Sequence, residues 1–385
     1  MAQNVFLGFC RVRREWMPFM SGHRWTRRGF LSSLAAAGAY GAEKKAHPLP
    51  SERLRYADPA TEFPVTRLTS PKHASILAPS SHRVVSRKGT FLLYTSDQTG
   101  AQQLMQMFLS TGEARQLTEA GALDPSSPVL SPDDRSVFFF DGPVLKQLVF
   151  LTMHEAEIYR VSEGWSPRGF SISPDGSVAC LVEAAEGRWR VRVAPLRAKG
   201  GDATTAFEAP APLGDPLPRP RYQDILYRDG DGSLALWEAG GRKNRRLPLA
   251  PGRSGPAFWS ADGESLVYLN SPTVPGKLNT IREWVAASDN ERLLASTSQY
   301  AAFAPNANGS IFVGASANKA SPYVLLLLRV TRRELPLCEH RASDAAAVRP
   351  VFSSDSQRVF YQSDRDGKPA IYVVNVQKLV EPTEE

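Results

Sequence analysis

The chain has 385 residues, 42% hydrophobic and 22% charged, with a formal net charge of +7. That composition supports a large apolar core and excludes wholesale disorder. No run of about 18 or more apolar residues occurs, which excludes an ordinary membrane span. The three cysteines (Cys10, Cys180, Cys338) form no C-x-x-C pair, which excludes a disulfide framework or a cysteine zinc site.

The first element is a targeting segment over residues 1–42. Thr26-Arg27-Arg28-Gly29-Phe30-Leu31 precedes a weakly apolar, Ala- and Gly-rich stretch from Ser32 to Ala42. A paired arginine followed by a modest apolar run and small residues is the layout of a twin-arginine export signal. Cleavage is expected after Ala39 or Ala42, and Met17 and Met20 are alternative starts. The segment holds six arginines and one glutamate, so it carries +5 of the total charge and leaves +2 on the rest. The basic balance therefore gives no reason to expect nucleic-acid binding. A periplasmic or secreted protein without a membrane span is the expectation. Cys180, within Val178-Ala179-Cys180-Leu181-Val182, reads as a buried free thiol.

Residues 43–64 read as an extended lead-in. From 65 to 379 one unit repeats: apolar-x-Ser-x-Asp-Gly, a β-rich run, a polar turn and a second β-rich run. It is clearest at Pro350-Val351-Phe352-Ser353-Ser354-Asp355, followed by Arg358 to Tyr361, Ser363 to Gly367 and Ala370 to Val374. Copies recur at Ser86-Arg87-Lys88-Gly89, Ser131-Pro132-Asp133-Asp134, Ser173-Pro174-Asp175-Gly176 and Ser260-Ala261-Asp262-Gly263, with a weaker one at Phe303-Ala304-Pro305-Asn306. The turns start at 88, 133, 175, 262, 306 and 355, with gaps of 45, 42, 87, 44 and 49. The gap of 87 spans two periods, so a degenerate copy belongs near residue 218. Its strands are Ile225-Leu226-Tyr227 and Leu234 to Trp237, around Asp229-Gly230-Asp231-Gly232.

Seven units of this period, each with four short strands, predict an all-β, seven-bladed β-propeller over 65–379. Asp and Gly tolerate the positive φ of the tight turns, and the β-branched and aromatic runs suit strands buried between sheets. Val65-Thr66-Arg67-Leu68-Thr69 is expected to pair with the last blade and close the ring. Residues 380–385 read as a loose acidic tail.

The S-x-D-G and S-D-x-x-G pairing resembles propeller repeats of the TolB-like, WD40-like group. A narrower resemblance rests on segment order. It runs from Asp58-Pro59 and Val65 to Pro71 through Thr111-Gly112-Glu113-Ala114-Arg115-Gln116-Leu117-Thr118. It continues with Glu157-Ile158-Tyr159, Glu163-Gly164-Trp165, Phe258-Trp259, Leu337-Cys338-Glu339-His340 and Ser363-Asp364-Arg365. Over residues 52–379 this order is similar to the oligogalacturonate lyase family of seven-bladed propellers. The resemblance implies β-elimination on pectin fragments, with a base near the uronate C5 proton and a cation on the carboxylate. It further implies manganese held by three histidines and a glutamine, plus a separate basic histidine.

The chemistry-bearing positions depart from that pattern. Beyond residue 42 the histidines are His47, His73, His82, His154 and His340. The family's H-x-H falls on Ala347-Val348-Arg349, its H-E-F-W on Pro256-Ala257-Phe258-Trp259, and its C-H-E-G in or near Tyr227-Arg228-Asp229-Gly230. Its glutamine falls on Asp344. His340 matches a family histidine, but one imidazole does not hold a divalent ion. No G-x-S-x-G, Walker or dinucleotide fingerprint occurs.

The expected function is an exported, monomeric, non-catalytic propeller that binds an acidic oligosaccharide or a periplasmic protein without a cofactor. The alternatives are an oligogalacturonate lyase and a TolB-like interaction module. Ligand-binding candidates are His340, Arg349, Arg219, Arg221, His73 and His82; no catalytic or metal-ligating residue is assigned. Arg349 is the candidate to replace metal charge by pairing bidentately with a carboxylate.

Overall fold

Each repeat serine ends an inner strand and folds the chain back on itself. Its Oγ accepts the N–H five positions on: from Ser136 to Ser131 at 3.0 Å, Val178 to Ser173 at 3.1 Å, Ser265 to Ser260 at 2.9 Å and Arg358 to Ser353 at 3.0 Å. Ser86 accepts from Phe91 in the same way, and the Asn306 side chain from Ile311, both at 3.1 Å. The hydroxyl then donates to the aspartate two residues on, as from Ser131 to Asp133 at 2.7 Å and from Ser260 to Asp262 at 2.5 Å. These local bonds satisfy turn donors that the sheet cannot reach. Gly263, at φ 76°, completes its turn against the Pro220 carbonyl of the preceding blade, where a Cβ has no room.

The computed structural model describes residues 48–196 and 202–380, which form seven antiparallel sheets. The blades run over 75–116, 129–160, 166–209, 214–246, 253–296, 300–339 and 351–375, numbered here 1 to 7, each meandering from an inner strand outward. Pro64–Arg67 pairs antiparallel with Ala370–Asn375, Val65 opposite Val374 and Arg67 opposite Tyr372, so the seventh blade is closed from the N-terminal side. The segment 1–42, with its twin arginine, lies outside the described residues, as do 43–47 and 381–385.

Part of the extended lead-in joins the sheets. Leu54–Ala57 adds a fifth strand to blade 7 beside Pro64–Arg67, and Pro48–Leu49 adds a fifth strand to blade 1 beside Ala114–Gln116. Between them and the ring, Asp58 is buried. Its carboxylate accepts from Thr61 N at 3.1 Å and from Glu339 N of blade 6 at 3.1 Å.

Apolar clusters fill the spaces between blades. Leu92, Leu104, Val137, Phe139 and Phe360 belong to one such cluster, and Val313, Leu326, Val359 and Tyr361 to another. Tyr361 stacks on Tyr372 with ring centroids 5.2 Å apart. One blade buries such faces only against its neighbours, which makes ring closure a condition of stability. Cys180 is buried, and burial pushes its thiol up to about 12.

Blade 4 contains the copy that the sequence shows only in outline. Arg219 stands where the other turns have serine or asparagine, and its N–H closes the same five-residue turn onto Asp224 O at 2.9 Å. No short side-chain oxygen is available there. The guanidinium takes over, donating to the Asp224 carboxylate at 3.1 Å and to Gly263 O of blade 5 at 2.7 Å. It lies over the Tyr222 ring at 3.8 Å.

Candidate functional site

Antiparallel meanders put every serine turn at the far end of an inner strand, so the loops entering those strands gather at the opposite face. There they enclose an axial funnel of about 780 Å³. Its wall includes segments at 79–82, 124–127, 168–171, 215–217 and 253–258, with Ala346 and Arg349 from blade 7.

Four arginines and three aspartates give the funnel its charge: Arg168, Arg228, Arg253 and Arg349 against Asp124, Asp215 and Asp231. Arg228 is spent on structure. It pairs with Asp215 at 3.0 Å and donates to Ser254 O at 2.7 Å and Gly255 O at 2.9 Å. Asp231 pairs with Arg246, outside the funnel wall. Arg168 and Arg253 are exposed and form no ion pair among the described residues.

Arg349 is held more firmly. The 3-10 helix Ala345–Val348 delivers it in the left-handed region at φ 48°. Its guanidinium donates to Leu77 O of blade 1 and to Ser126 Oγ at the entry to blade 2, at 3.2 Å for the latter. Burial lowers its pKa and the Asp124 carboxylate opposes that effect; an arginine remains charged at neutral pH regardless. No carboxylate meets it in an ion pair among the described residues. Three of the four funnel arginines are therefore without an ion-paired carboxylate.

The other sequence candidates are placed differently. His82 does line the funnel, but both its ring nitrogens face backbone carbonyls, Nε2 at 2.8 Å from Phe170 O and Nδ1 at 3.2 Å from Pro128 O. Neither nitrogen presents a lone pair to the cavity. His340 is buried outside the funnel lining. Its Nε2 donates to Ser316 O at 2.9 Å and its Nδ1 accepts from Ala342 N at 3.0 Å, which makes it a neutral, fully bonded structural imidazole. Burial lowers the pKa of both histidines. His73 sits 3.9 Å from the Asp97 carboxylate, away from the funnel wall. Arg219 and Arg221 belong to the blade 4 turn, at the opposite ends of the inner strands, and Arg219 is the brace described above. Asp344 caps the 3-10 helix through Ala346 N at 2.9 Å.

Arg168 and Arg253 had no sequence signature, since an arginine in a strand reads as solvated surface. Their position on inner strands, upstream of Ser173 and Ser260, was the available signal.

Two curated relatives match the chain over most of their length. Oligogalacturonate lyase of Dickeya dadantii (strain 3937) is 23% identical over 374 residues, covering 83% of this chain and 95% of the relative. Oligogalacturonide lyase of Pectobacterium atrosepticum is 22% identical over 381 residues, covering 86% and 98%. Among solved structures, an oligogalacturonate lyase in complex with manganese superposes with a TM-score of 0.80 at 23% identity, covering 86% of this chain and 98% of that one. The oligogalacturonate lyase of Vibrio parahaemolyticus gives 0.80 at 21% identity, covering 87% and 99%. No family model matches. Homologues named oligogalacturonate lyase thus match the chain, with the same seven-bladed architecture.

The residues present do not fit manganese held by imidazoles. Among the described residues no group of three His, Cys, Asp or Glu side chains is arranged to hold a metal ion. Pro256 in the funnel wall and Ala347 beside it have no donor side chain, and Arg349 brings a positive charge.

Proposed function

We propose that the chain is an exported propeller that binds acidic oligosaccharides of the oligogalacturonide type in its axial funnel without acting as a metal-dependent lyase. The observation that carries this reading is the set of three arginines, Arg168, Arg253 and Arg349, facing one cavity without ion-paired carboxylates. A uronate chain presents a carboxylate on every sugar, and guanidinium groups recognise carboxylates through charge-assisted, often bidentate, hydrogen bonds. Arg349 is the anchor because its own bonds to blades 1 and 2 fix it before ligand arrives. Arg168 and Arg253, being free and exposed, adjust to further carboxylates along the chain. Phe258 adds an apolar surface to the wall for a sugar face.

Elimination needs a base at the uronate C5 proton and a cation that relieves the carboxylate charge. The funnel's one imidazole is turned away onto two carbonyls, which supports a binding role over catalysis. The lyase reading retains one supporting observation, the homology over nearly the whole propeller to relatives named for that activity. Calorimetric titration of di- and trigalacturonate, paired with a spectrophotometric assay for unsaturated product, tests the proposal. Saturable binding without product is expected. Absent binding overturns the ligand class, and turnover overturns the non-catalytic role.

A further inference from the structure

A second arginine cluster lies outside the funnel, where ring closure brings blades 7 and 1 together. Arg53, Arg55 and Arg358 line a cavity of about 370 Å³ whose remaining wall is Thr66, Leu68, Leu109, Phe360 and Val373. No carboxylate belongs to that wall. Arg53 is fixed from the lead-in, its guanidinium donating to Ser110 O at 3.1 Å and to Leu109 O. Its Nε is buried with no hydrogen-bond partner. Arg358 is fixed from the other side, donating to Gly89 O at 2.9 Å, while Arg55 is exposed beside them.

Like charges gathered around a cavity destabilise one another. Burial lowers the Arg53 pKa, and the nearby Arg358 charge acts in the same direction. Asp355 is near enough for Arg358 to contribute to holding its carboxyl below the usual range, but the two do not form an ion pair. A chain that places three guanidiniums so closely without a carboxylate among them has a site whose charge is completed from outside.

We propose that this seam cavity binds a phosphate monoester whose charged head lies against Arg53, Arg55 and Arg358 and whose compact apolar body lies on Leu68, Leu109, Phe360 and Val373. A doubly charged head matches clustered guanidiniums better than a single carboxylate does. The volume exceeds that of a bare oxyanion, which gives the apolar wall something to cover. Because the site joins the lead-in and blade 7 to blade 1, occupancy stabilises the closed ring by mass action.

Thermal unfolding of the full chain, at matched ionic strength, reads this out with phenyl phosphate, inorganic phosphate and benzoate as probes. Phenyl phosphate should raise Tm at about tenfold lower concentration than either inorganic phosphate or benzoate. Arg55→Gln and Arg358→Gln should each abolish most of the rise. Arg168→Gln with Arg253→Gln, in the funnel, should leave it intact, which separates this site from the proposed oligosaccharide site. Equal shifts in wild type and the seam variants would overturn the proposal, as would no shift at all. If a seam variant does not fold, phosphorus NMR line broadening of phenyl phosphate with wild type, competed by inorganic phosphate, gives the answer. Lines that stay sharp, or competition absent at a hundredfold excess, also overturn it.

Discussion

His82 of blade 1 places Nε2 2.8 Å from the Phe170 carbonyl on the inner strand of blade 3, and its ring packs edge-on to the Phe170 ring at 5.6 Å. With Nδ1 beside Pro128 O, one side chain ties three blades at the funnel wall. A buried imidazole in that position is favoured as the neutral ring. Burial lowers its pKa, which the two carbonyls and Asp124 oppose and Arg349 reinforces. His340 is lowered mainly by burial too, with Arg365 acting in the same direction against Ser316 O, Asp364 and Glu339.

The sign of the pH dependence follows. The unfolded histidines take up protons near the ordinary value of about 6.5 while the folded ones stay neutral. Stability is therefore flat above about pH 6.5, falls as pH drops through it, and levels off below the depressed folded-state values. The turn carboxylates Asp133 and Asp262, held low chiefly by Ser131 and Ser260, lose their contribution only near pH 4, roughly the unfolded carboxylate value, and below. Urea unfolding at pH 8, 6.5 and 5.5 checks this. His340→Asn should flatten the slope between the last two, and a chain that gains stability on acidification contradicts it.

Arg219 offers a second test, because a linker arginine and a structural brace respond differently to truncation. Arg219→Ala removes the bonds to Asp224 and Gly263 and the stacking on Tyr222. A loss of about 2 kcal/mol is expected from chemical denaturation, with binding in the funnel unchanged. Arg221→Ala, at the exposed neighbouring position, should be neutral.

The ring was legible in the sequence wherever a serine or asparagine oxygen makes the turn, since that chemistry demands a short polar side chain at a fixed offset. Blade 4 was faint because a long guanidinium does the same work from Arg219. The strands Pro48–Leu49 and Leu54–Ala57 were hidden for another reason. Both are edge strands too short to show a period of their own; Pro48–Leu49 pairs with Ala114–Gln116, distant in sequence, whereas Leu54–Ala57 forms a local hairpin with Pro64–Arg67. The funnel was only half legible. Arg349 stands at a family position, whereas Arg168 and Arg253 are marked in the sequence only by their place on inner strands upstream of Ser173 and Ser260.

Gly314 tests the packing of blade 6. It lies under the Tyr300 ring of the adjacent inner strand, and a Cβ there would overlap that ring. Tyr300 is fully buried, so its ring is packed on all sides. Gly314→Ala should cost about 1–3 kcal/mol. A Tyr300→Leu background should recover part of that loss in a double-mutant cycle, and strict additivity would mean that the two side chains do not meet.

The proposed export rests on the sequence, through Arg27 and Arg28. Replacing both with lysine keeps the charge but removes the paired guanidiniums, and the protein should then stay in the cytoplasm. Fractionation followed by immunoblotting reads the outcome, and unchanged export would remove the proposed route.

The funnel arginines and the metal question meet in one last experiment. Arg168→Gln and Arg253→Gln should each weaken digalacturonate binding about three- to tenfold, the range for exposed charge pairs. Arg349→Gln should weaken it more, because that guanidinium is partly buried and preorganised on Leu77 and Ser126. Added manganese should change none of these affinities. Proline and alanine side chains have no lone pair for the ion, and the Arg349 charge repels it. Without a Lewis acid on the uronate carboxylate, C5 proton removal forgoes several kcal/mol of charge stabilisation. Unsaturated product should therefore be undetectable with or without the ion. Calorimetry and ultraviolet absorbance on the same samples separate the possibilities. Tight manganese binding would show that other side chains converge as ligands. Metal-dependent turnover would place the chain among the lyases its relatives are named for.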